Sequence, residues 1–313
     1  MEIKKLKLTE ALEKVQNLNR SVPYRAMYSS WFGGIVTDPQ LMLVPIDDHL
    51  VHRGDGVFEA MKFLRPQKVY LMQQHLERLQ QSAERLGILF PLSVSDLKKI
   101  IYETIKASEL TTGLVRLFLS RGPGGFSTNP YESIGAQLYL VVTELQSISE
   151  KKYETGVSMG KSMWTAKTPW HAQIKSCNYL HNVMMKKEAI DRKIDFTVSY
   201  DDQGYLTEGS TENIVILDAD QNLVHPKMER ILKGTTMVRA FELAEKLVSQ
   251  GKIRGTLVKD LTEKDLTQAR EVMLMGTTLD VLPVGQYEGQ HWTSFTVSKA
   301  LREMILDDQK SPI

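Results

Sequence analysis

The chain is organised around the stretch Ile174-Lys175-Ser176-Cys177-Asn178-Tyr179-Leu180, which holds one lysine on the approach to a predicted helix. Asn178 can cap that helix by accepting a backbone N–H. The apolar residues that recur at helical spacing after the cap are Leu180, Val183, Met184 and Ile190. A lysine on such a connection, partly desolvated or near other cations, has a lowered pKa and can attack an aldehyde to form a Schiff base. Lysines are common in this chain, so Lys175 becomes a catalytic candidate only through its surroundings.

Composition limits both the fold and the partners. With 313 residues, 42% of them hydrophobic, the chain exceeds one ordinary domain and predicts two. Its charges are interspersed and sum to +1, which disfavours nucleic acid and anionic membranes as partners. The single cysteine, Cys177, excludes an intrachain disulfide framework and a cysteine-cluster metal site. The first residues do not resemble a signal peptide and no apolar run approaches the ~18 residues of a membrane helix, so we expect a cytoplasmic protein without a metal.

The alternation of strands and helices predicts two domains of the α/β (α+β) class. Residues 1–22 are expected to form an N-terminal appendage, and 23–146 a smaller α+β domain. The polar residues 147–152 have the composition of a linker, and 153–313 form a larger domain that carries Lys175. The predicted helices cover 8–18, 73–87, a segment begun by the capping box Ser93 to Asp96, 235–250 and 298–306. The predicted strands cover 27–36 and 40–45 as a hairpin, 114–120, 136–143, 157–164, 195–200, 213–218 and 271–275.

Two glycine-rich segments are candidates for binding loops. Gly54-Asp55-Gly56 precedes a strand, and its glycines permit turns forbidden to other residues, which fits a binding loop and a tight turn equally well. Residues 122–130 contain three glycines and two prolines, with Phe126 at the centre. That ring would be exposed to water unless something covered it.

Three short clusters bear on Lys175. Gly234-Thr235-Thr236 opens a helix, where free N–H groups and two hydroxyls can cradle a phosphate, although ordinary capping explains the same pattern. Gly276-Thr277-Thr278 ends a buried strand, where α/β folds tend to bind ligands, and a plain turn is the alternative. Glu208 lies between two apolar strands, and a buried carboxylate there requires a cationic partner.

Taken together, these motifs resemble the fold-type IV, or class IV, family of pyridoxal-phosphate-dependent aminotransferases. The resemblance covers nearly the whole chain after the first ~22 residues. Each motif is weak alone, but their order and separations are highly specific. The motifs are Gly-Asp-Gly-Val-Phe-Glu at 54–59, His-Leu-Glu-Arg-Leu at 75–79, Lys175 with Asn-Tyr-Leu at 178–180, Thr-Glu-Gly-Ser at 207–210, Ile-Leu-Lys-Gly-Thr-Thr at 231–236 and Gly-Thr-Thr at 276–278.

The resemblance implies a cofactor, pyridoxal 5'-phosphate, between two domains, and a role for each matching residue. Lys175 would form the Schiff base and later move a proton from the substrate α-carbon. Glu208 would face the pyridine nitrogen and Tyr179 the phenolic oxygen. The implied phosphate ligands are Arg78, Thr235, Thr236 and Thr277, with nearby backbone N–H groups.

The resemblance leaves the substrate open. The implied reaction moves an amino group between an amino acid and a 2-oxo acid, with branched-chain or D-amino acids as candidates. The D-amino-acid branch has an Arg-x-His trap where this chain has Phe126-Ser127-Thr128, and branched-chain members have a tyrosine where it has Arg53. Arg53 would bind a substrate carboxylate or lie on a mobile surface loop, and Phe58, Phe126 and Thr278 complete the predicted substrate-binding set.

A lyase that resembles 4-amino-4-deoxychorismate lyase, which releases pyruvate in folate synthesis, is the alternative reaction. Both reactions begin with loss of the α-proton, so the cofactor site does not separate them. A non-catalytic scaffold is disfavoured, because Lys175, Glu208 and Arg78 are all present. The family builds its active sites at a subunit interface, which implies a homodimer in which loop 122–130 closes the partner's pocket.

Overall fold

The computed structural model describes residues 3–18 and 22–311. Part of the predicted appendage, residues 1, 2 and 19–21, therefore lies outside the described residues, as do 312 and 313. Helix α1 (Leu8–Gln16) forms where the sequence predicts it and leaves Leu8 and Leu12 exposed.

The first half of the chain forms a six-stranded antiparallel sheet with the strand order β2-β1-β6-β5-β3-β4. Helices α3 and α4 accompany it, and their apolar residues share one core with those of the central strands. Leu76 and Leu79 come from α3, and Ile101 and Ile105 from α4. The strands are β1 (Tyr24–Ser29), β2 (Gly34–Val36), β3 (Gly56–Arg65), β4 (Lys68–Val69), β5 (Gly113–Ser120) and β6 (Gln137–Thr143). The helices are α2 (His49–Arg53), α3 (Met72–Arg85) and α4 (Val94–Ala107).

The second half forms a nine-stranded mixed sheet, in which β7 pairs in parallel with β14 and β8. Alternate residues of β10 enter two different cores: Ile214 and Ile216 belong to one, Val215 and Leu217 to the other. Since successive side chains of a strand point to opposite faces, this sheet is covered on both sides, which explains its continuous apolar runs. The strands are β7 (Val157–Lys161), β8 (Phe196–Tyr200), β9 (Leu206–Gly209), β10 (Asn213–Leu217), β11 (Asn222–Pro226), β12 (Gly255–Lys259), β13 (Glu271–Gly276), β14 (Asp280–Tyr287) and β15 (Gln290–His291). The helices are α5 (Glu150–Thr155), α6 (Pro169–Ala172), α7 (Leu180–Asp191), α8 (Thr235–Ser249), α9 (Glu263–Thr267) and α10 (Thr296–Lys310).

The two halves are joined by buried contacts. Ile174 packs into the core of the first sheet although it follows β7 in the chain. Lys62 of β3 donates two hydrogen bonds to Asp280 of β14, at 2.6 and 2.8 Å, and both residues are buried. The predicted two-domain α/β (α+β) fold is confirmed, and the domain boundary at 147–152 stays a prediction.

Two local predictions are wrong. The segment 27–36 is not one strand but holds a hairpin turn, between β1 and β2, and 40–45 is not a strand. Asp38 accepts a hydrogen bond from the Gln40 N–H and begins a single 3₁₀ turn at Pro39 instead. Proline supplies the fixed φ of that turn and removes an N–H that a strand would need.

Helix α7 also differs from its prediction. It begins at Leu180 with no side-chain cap, so Asn178 does not cap it. Leu180, Val183 and Ile190 are more than half exposed, while the buried side is formed by Asn182, Met185 and Ala189. The apolar spacing therefore marks a face that no other part of the described chain covers.

Among the described residues, no helix is both long enough and apolar enough to cross a membrane.

Candidate active site

Lys175 is held between the two halves of the molecule by its backbone. Its carbonyl accepts a 3.0 Å hydrogen bond from the Phe58 N–H, and the Cys177 N–H donates to the Gly56 carbonyl at 2.8 Å. Gly54, with a φ of +65°, ends α2 beside this connection. A Cβ at Gly54 would lie 3.0 Å from the backbone of Asn178 and would be strained at that φ. The Gly-Asp-Gly turn is therefore a close-packing device that lets the lysine segment dock on β3.

The amine of Lys175 lies over an aromatic ring and near a cation. Its Nζ is 4.6 Å from the centre of the Phe58 ring. Loss of hydration, followed by the repulsion of Arg78, lowers the pKa of Lys175 to about 8. About a tenth of the amine is thus unprotonated at pH 7, far more than for an ordinary lysine, and this is the form that attacks a carbonyl.

Glu208 faces the same space from β9. Its Oε2 accepts a 2.9 Å hydrogen bond from the Leu232 N–H, and its Oε1 lies 3.8 Å from the Nζ of Lys167. Burial raises the pKa of Glu208, and Lys167 is the strongest influence that opposes this rise. The cationic partner that the sequence requires for this carboxylate is therefore Lys167, a residue that sequence reasoning missed.

Tyr179 closes one side of the space. The Tyr179 ring meets the Phe58 ring edge-on, with 5.2 Å between the ring centres. The Nζ of Lys167 lies 5.8 Å from the centre of the Tyr179 ring. Burial raises the pKa of Tyr179, so the phenol stays protonated. Within the described chain its hydroxyl has no hydrogen-bond partner, and neither does the amine of Lys175.

A buried network lies behind the lysine. Glu59 accepts hydrogen bonds from Arg78 Nε at 2.7 Å and Nη2 at 2.8 Å, and Arg78 Nη1 donates to the Lys233 carbonyl at 2.9 Å. His75 Nδ1 lies 2.6 Å from Oε2 of Glu59. Burial alone would raise the pKa of Glu59, but Arg78 and His75 together hold it well below its usual range. Arg78 is thus fixed by Glu59, and one N–H of its Nη1 has no partner among the described residues.

The same network sets the start of α8. His75 Nε2 lies 3.2 Å from the Thr235 hydroxyl, and burial lowers the pKa of His75, so the neutral ring accepts there while its Nδ1 donates to Glu59. The Thr235 hydroxyl is therefore engaged within the protein. Thr236 is 3% exposed and its hydroxyl has no partner in the described part of the chain. Because α8 has no side-chain cap, its first N–H groups remain available for an anion.

A larger cavity, of about 660 Å³, lies against β1, β5 and β6, and Phe118 of its wall stacks on Phe58, the ring next to the Lys175 amine, with 6.0 Å between the ring centres. Thr278, in the loop after β13, is part of its wall, and most of the remainder is apolar. Arg116 of β5 also lines it and forms no ion pair with any described residue, so it is a free cation. The one sequence signal for Arg116 is a charge inside an apolar strand, and sequence reasoning missed it. The apolar lining is Pro23, Met27, Met42, Val44, Leu50, Leu114, Phe118, Tyr139, Val141 and Leu145, and the acid Glu144 also lines the cavity.

The predicted substrate residues separate into two groups. Phe58 contacts Lys175, and Thr278 lines the larger cavity. Arg53 instead donates to the Gly125 carbonyl at 2.7 Å and contacts His49, while Phe126 is 68% exposed and packs on His52. Arg53 and Phe126 tie loop 122–130 to α2 and do not line the cavity.

The fold is a two-domain α/β architecture, and a lysine with a lowered pKa lies where the segment after β7 packs on β3. The family profile described as amino-transferase class IV matches residues 56–287, and the chain belongs to this family. Pyridoxal 5'-phosphate is therefore its cofactor, and the chain is a transaminase by family.

Individual relatives agree with this assignment. A D-amino-acid transaminase, chloroplastic, of Arabidopsis thaliana is 33% identical over 96% of this chain and 81% of its own length. A solved branched-chain aminotransferase from the archaeon Thermoproteus uzoniensis, with norvaline, has a TM-score of 0.82 at 22% identity, covering 91% of this chain and 95% of that one. A 4-amino-4-deoxychorismate lyase from Pseudomonas aeruginosa has a TM-score of 0.75 at 24% identity, covering 85% and 95%. At these identities the two solved structures show the shared fold.

Proposed function

We propose that this transaminase holds pyridoxal 5'-phosphate covalently at Lys175 and transfers the amino group of an amino acid with an apolar side chain. The proposal rests on the lowered pKa of the Lys175 amine, about 8. This amine and the nearby Tyr179 hydroxyl both lack a hydrogen-bond partner among the described residues. When bound, the cofactor supplies an electron-withdrawing ring that stabilises negative charge at the substrate α-carbon.

The residues fit the cofactor at both ends. Glu208 offers a carboxylate for a ring nitrogen, and Tyr179 an unpaired hydroxyl for a phenolic oxygen. At the phosphate end, the free N–H groups of α8, the Thr236 hydroxyl and the remaining N–H of Arg78 would provide donors. Thr277 stays a phosphate ligand that the family resemblance implies. Thr235 contributes through its backbone, because its hydroxyl is bonded to His75.

Lys175 also moves the proton. When not attached to the cofactor, its Nζ would act as a general base in the neutral form that burial favours. It would accept the proton of the α-carbon from its position 4.6 Å from the Phe58 ring centre. The apolar Phe58 surface keeps water from this base, so the proton is returned within the site.

The larger cavity supports the substrate assignment. Its apolar wall suits an apolar side chain, and Arg116 is a free cation at the edge of that wall, among the residues that the structure describes. A guanidinium binds a carboxylate with two parallel hydrogen bonds. We infer that Arg116, rather than Arg53, binds a carboxylate of the substrate, since Arg53 is engaged with His49 and Gly125.

D-Amino acids are the first substrate class to test, because the 33% identical relative is named a D-amino-acid transaminase. Branched-chain amino acids come second, on the name of the solved fold neighbour. The lyase reaction is the second candidate function. It must be tested because the chain shares its fold with the Pseudomonas aeruginosa lyase.

The deciding experiment mixes purified protein, loaded with pyridoxal 5'-phosphate, with a panel of D- and L-amino acids and follows the visible absorption of the attached cofactor. Bleaching by an amino acid, with return on adding a 2-oxo acid, identifies a transaminase substrate. If no amino acid acts while 4-amino-4-deoxychorismate yields pyruvate, the lyase reaction replaces this proposal. Arg116→Met should raise KM for the substrate that bleaches the band, and Arg65→Met, at an exposed strand residue that does not line the cavity, is the matched control.

Glu208→Gln tests the ring end of the site. Glutamine keeps the shape but removes the charge, so we expect cofactor binding to persist and single-turnover loss of the α-proton to slow by about 10²-fold or more. Unchanged single-turnover rates would show that Glu208 does not act on the ring.

We also propose a homodimer in which loop 122–130 closes the partner's pocket. The loop and its continuation expose three large apolar side chains, Phe126 (68%), Tyr131 (92%) and Ile134 (73%). Trp31, Phe32 and Ile46 are further exposed apolar residues of the same half. Several large apolar side chains exposed in one half of a chain favour a contact with another subunit.

A further inference from the structure

Lys167 is a second lysine at the cofactor site, and the proposed chemistry does not use it. It lies between β7 and α6, and its side chain is only 12% exposed. Its Nζ is 3.8 Å from Glu208 Oε1 and 5.8 Å from the centre of the Tyr179 ring. A lysine is rarely buried to this extent without a specific partner, and Glu208 is its ion-pair partner in the described part of the chain.

We propose that Lys167 is a positioning residue that keeps the Glu208 carboxylate ionised and aimed at the cofactor ring. The proposal rests on the proposed role of Glu208 and adds the group that makes this role possible in a buried place. An ionised carboxylate accepts a hydrogen bond from a protonated ring nitrogen, whereas a neutral carboxyl group has lost that charge.

The other groups that face Glu208 do not keep its carboxylate ionised once the cofactor is attached. Lys175 is the other nearby cation, but it is consumed when it attaches the cofactor. Glu212 is a like charge and opposes ionisation of Glu208. Glu212 itself is bonded to the N–H and hydroxyl of Thr211. Once the cofactor is attached, Lys167 is the remaining cation beside Glu208 in the described structure, apart from the ring itself.

The groups that face Lys167 from other elements do not replace it. His171 of α6 and His181 of α7 both have a lowered pKa, first through burial and then through repulsion by Lys167, so both are neutral near pH 7. Arg230 lines the same small cavity as Lys167 and Glu208, but it is already paired with Asp201 and Asp260. Removal of Lys167 therefore leaves a buried carboxylate whose remaining donor is the Leu232 N–H.

The test compares Lys167→Met and Lys167→Gln, two neutral variants, with Lys167→Arg, which keeps the charge. Lys161→Met is the matched control, because Lys161 forms a surface ion pair with Glu263 in which its side chain is 50% exposed. For each protein, the dissociation constant of pyridoxal 5'-phosphate from the cofactor-free form is measured from pH 6 to pH 9. Infrared spectra of the cofactor-free proteins, recorded in a Lys175→Ala background that removes the other nearby cation, then report whether a buried carboxyl group is protonated.

We expect Lys167→Met to bind the cofactor at least about tenfold more weakly than wild type at pH 6, and within about threefold of it at pH 9. The direction of this pH effect follows from proton linkage. Below its pKa the Glu208 carboxyl group holds a proton that it must release when the cofactor binds, and this weakens cofactor binding about tenfold for each pH unit. Lys167→Gln should behave alike, Lys167→Arg should lie within about threefold of wild type, and Lys161→Met should show no change. In the Lys175→Ala background, the infrared band of a protonated carboxyl group should appear at pH 6 with Lys167→Met and vanish with Lys167→Met/Glu208→Gln.

A pH profile of the two neutral variants parallel to that of wild type would overturn the proposal. The proposal would also be overturned if Lys167→Met weakened cofactor binding as much in the Glu208→Gln background as in wild type, because the lysine would then act through some other group. Failure of the underlying function is distinguishable: Glu208→Gln would leave single-turnover rates unchanged, while the infrared band of Glu208 would still respond to Lys167.

Discussion

Arg78 carries two roles that one set of variants can separate. Arg78→Met removes the guanidinium that pairs with Glu59 at 2.7 and 2.8 Å, in a place where the Glu59 side chain is 0% exposed. Breaking a buried pair by removing one partner leaves an uncompensated charge and costs about 3–5 kcal/mol. We expect the free energy of unfolding of the cofactor-free protein to fall by that amount at pH 7.

The pH dependence of this loss has a definite sign. The pKa of Glu59 is lowered in the folded protein, so the pair stabilises the fold above the ordinary carboxyl pKa, and this contribution is lost as pH falls through the folded-state pKa. In Arg78→Met, Glu59 can escape its cost by taking up a proton. The difference between wild type and variant should therefore be largest at neutral pH and shrink toward about pH 4.

The assay is urea unfolding followed by circular dichroism, with a second probe to check that the two domains unfold together. Arg78→Met/Glu59→Met removes both charges and should recover most of the lost stability, since a buried pair replaced by apolar residues is often neutral. If Arg78 also binds the cofactor phosphate, the double variant should recover stability but bind pyridoxal 5'-phosphate more weakly than wild type does. A double variant with normal cofactor affinity would show that Arg78 is purely structural, and a single variant of unchanged stability would refute the ion-pair argument.

Three further outcomes are expected. Lys175→Ala should abolish the visible band of the attached cofactor and all transamination while the circular dichroism spectrum stays unchanged, and a reducible visible band in the variant would contradict the assignment. The rate at which cofactor-free protein attaches pyridoxal 5'-phosphate should rise with pH around the pKa of Lys175, about 8, because only the neutral amine attacks; a stopped-flow rate that is flat from pH 7 to 9 would count against it. Phe126→Asp should weaken subunit association or raise KM with little effect on cofactor attachment, compared with Leu89→Asp as a control at another exposed apolar residue, and ultracentrifugation that finds a fully active monomer at assay concentration would exclude the shared pocket.

The sequence alone determined the fold class and the family, and it predicted the lysine. The order of motifs is a property of the chain itself. Gly-Asp-Gly at 54–56, Lys175 and Gly-Thr-Thr at 276–278 therefore indicate one architecture from the sequence alone. Long elements with strong periodicity, such as α3 and β5, were also placed within about two residues of their observed ends. In these elements the local pattern and the tertiary environment agree.

Only the tertiary structure decided which groups meet. Lys167 and Glu208 are far apart in the chain, and their approach depends on how the loop after β7 crosses the end of β9. Periodicity also failed on α7, whose apolar residues are exposed, because spacing shows that a helix has an apolar side but not what covers it. Arg78 and Thr235 looked like free phosphate ligands in the sequence, yet Glu59 and His75 already engage them. Buried polar groups must find partners, and those partners are chosen by three-dimensional packing rather than by neighbours in the chain.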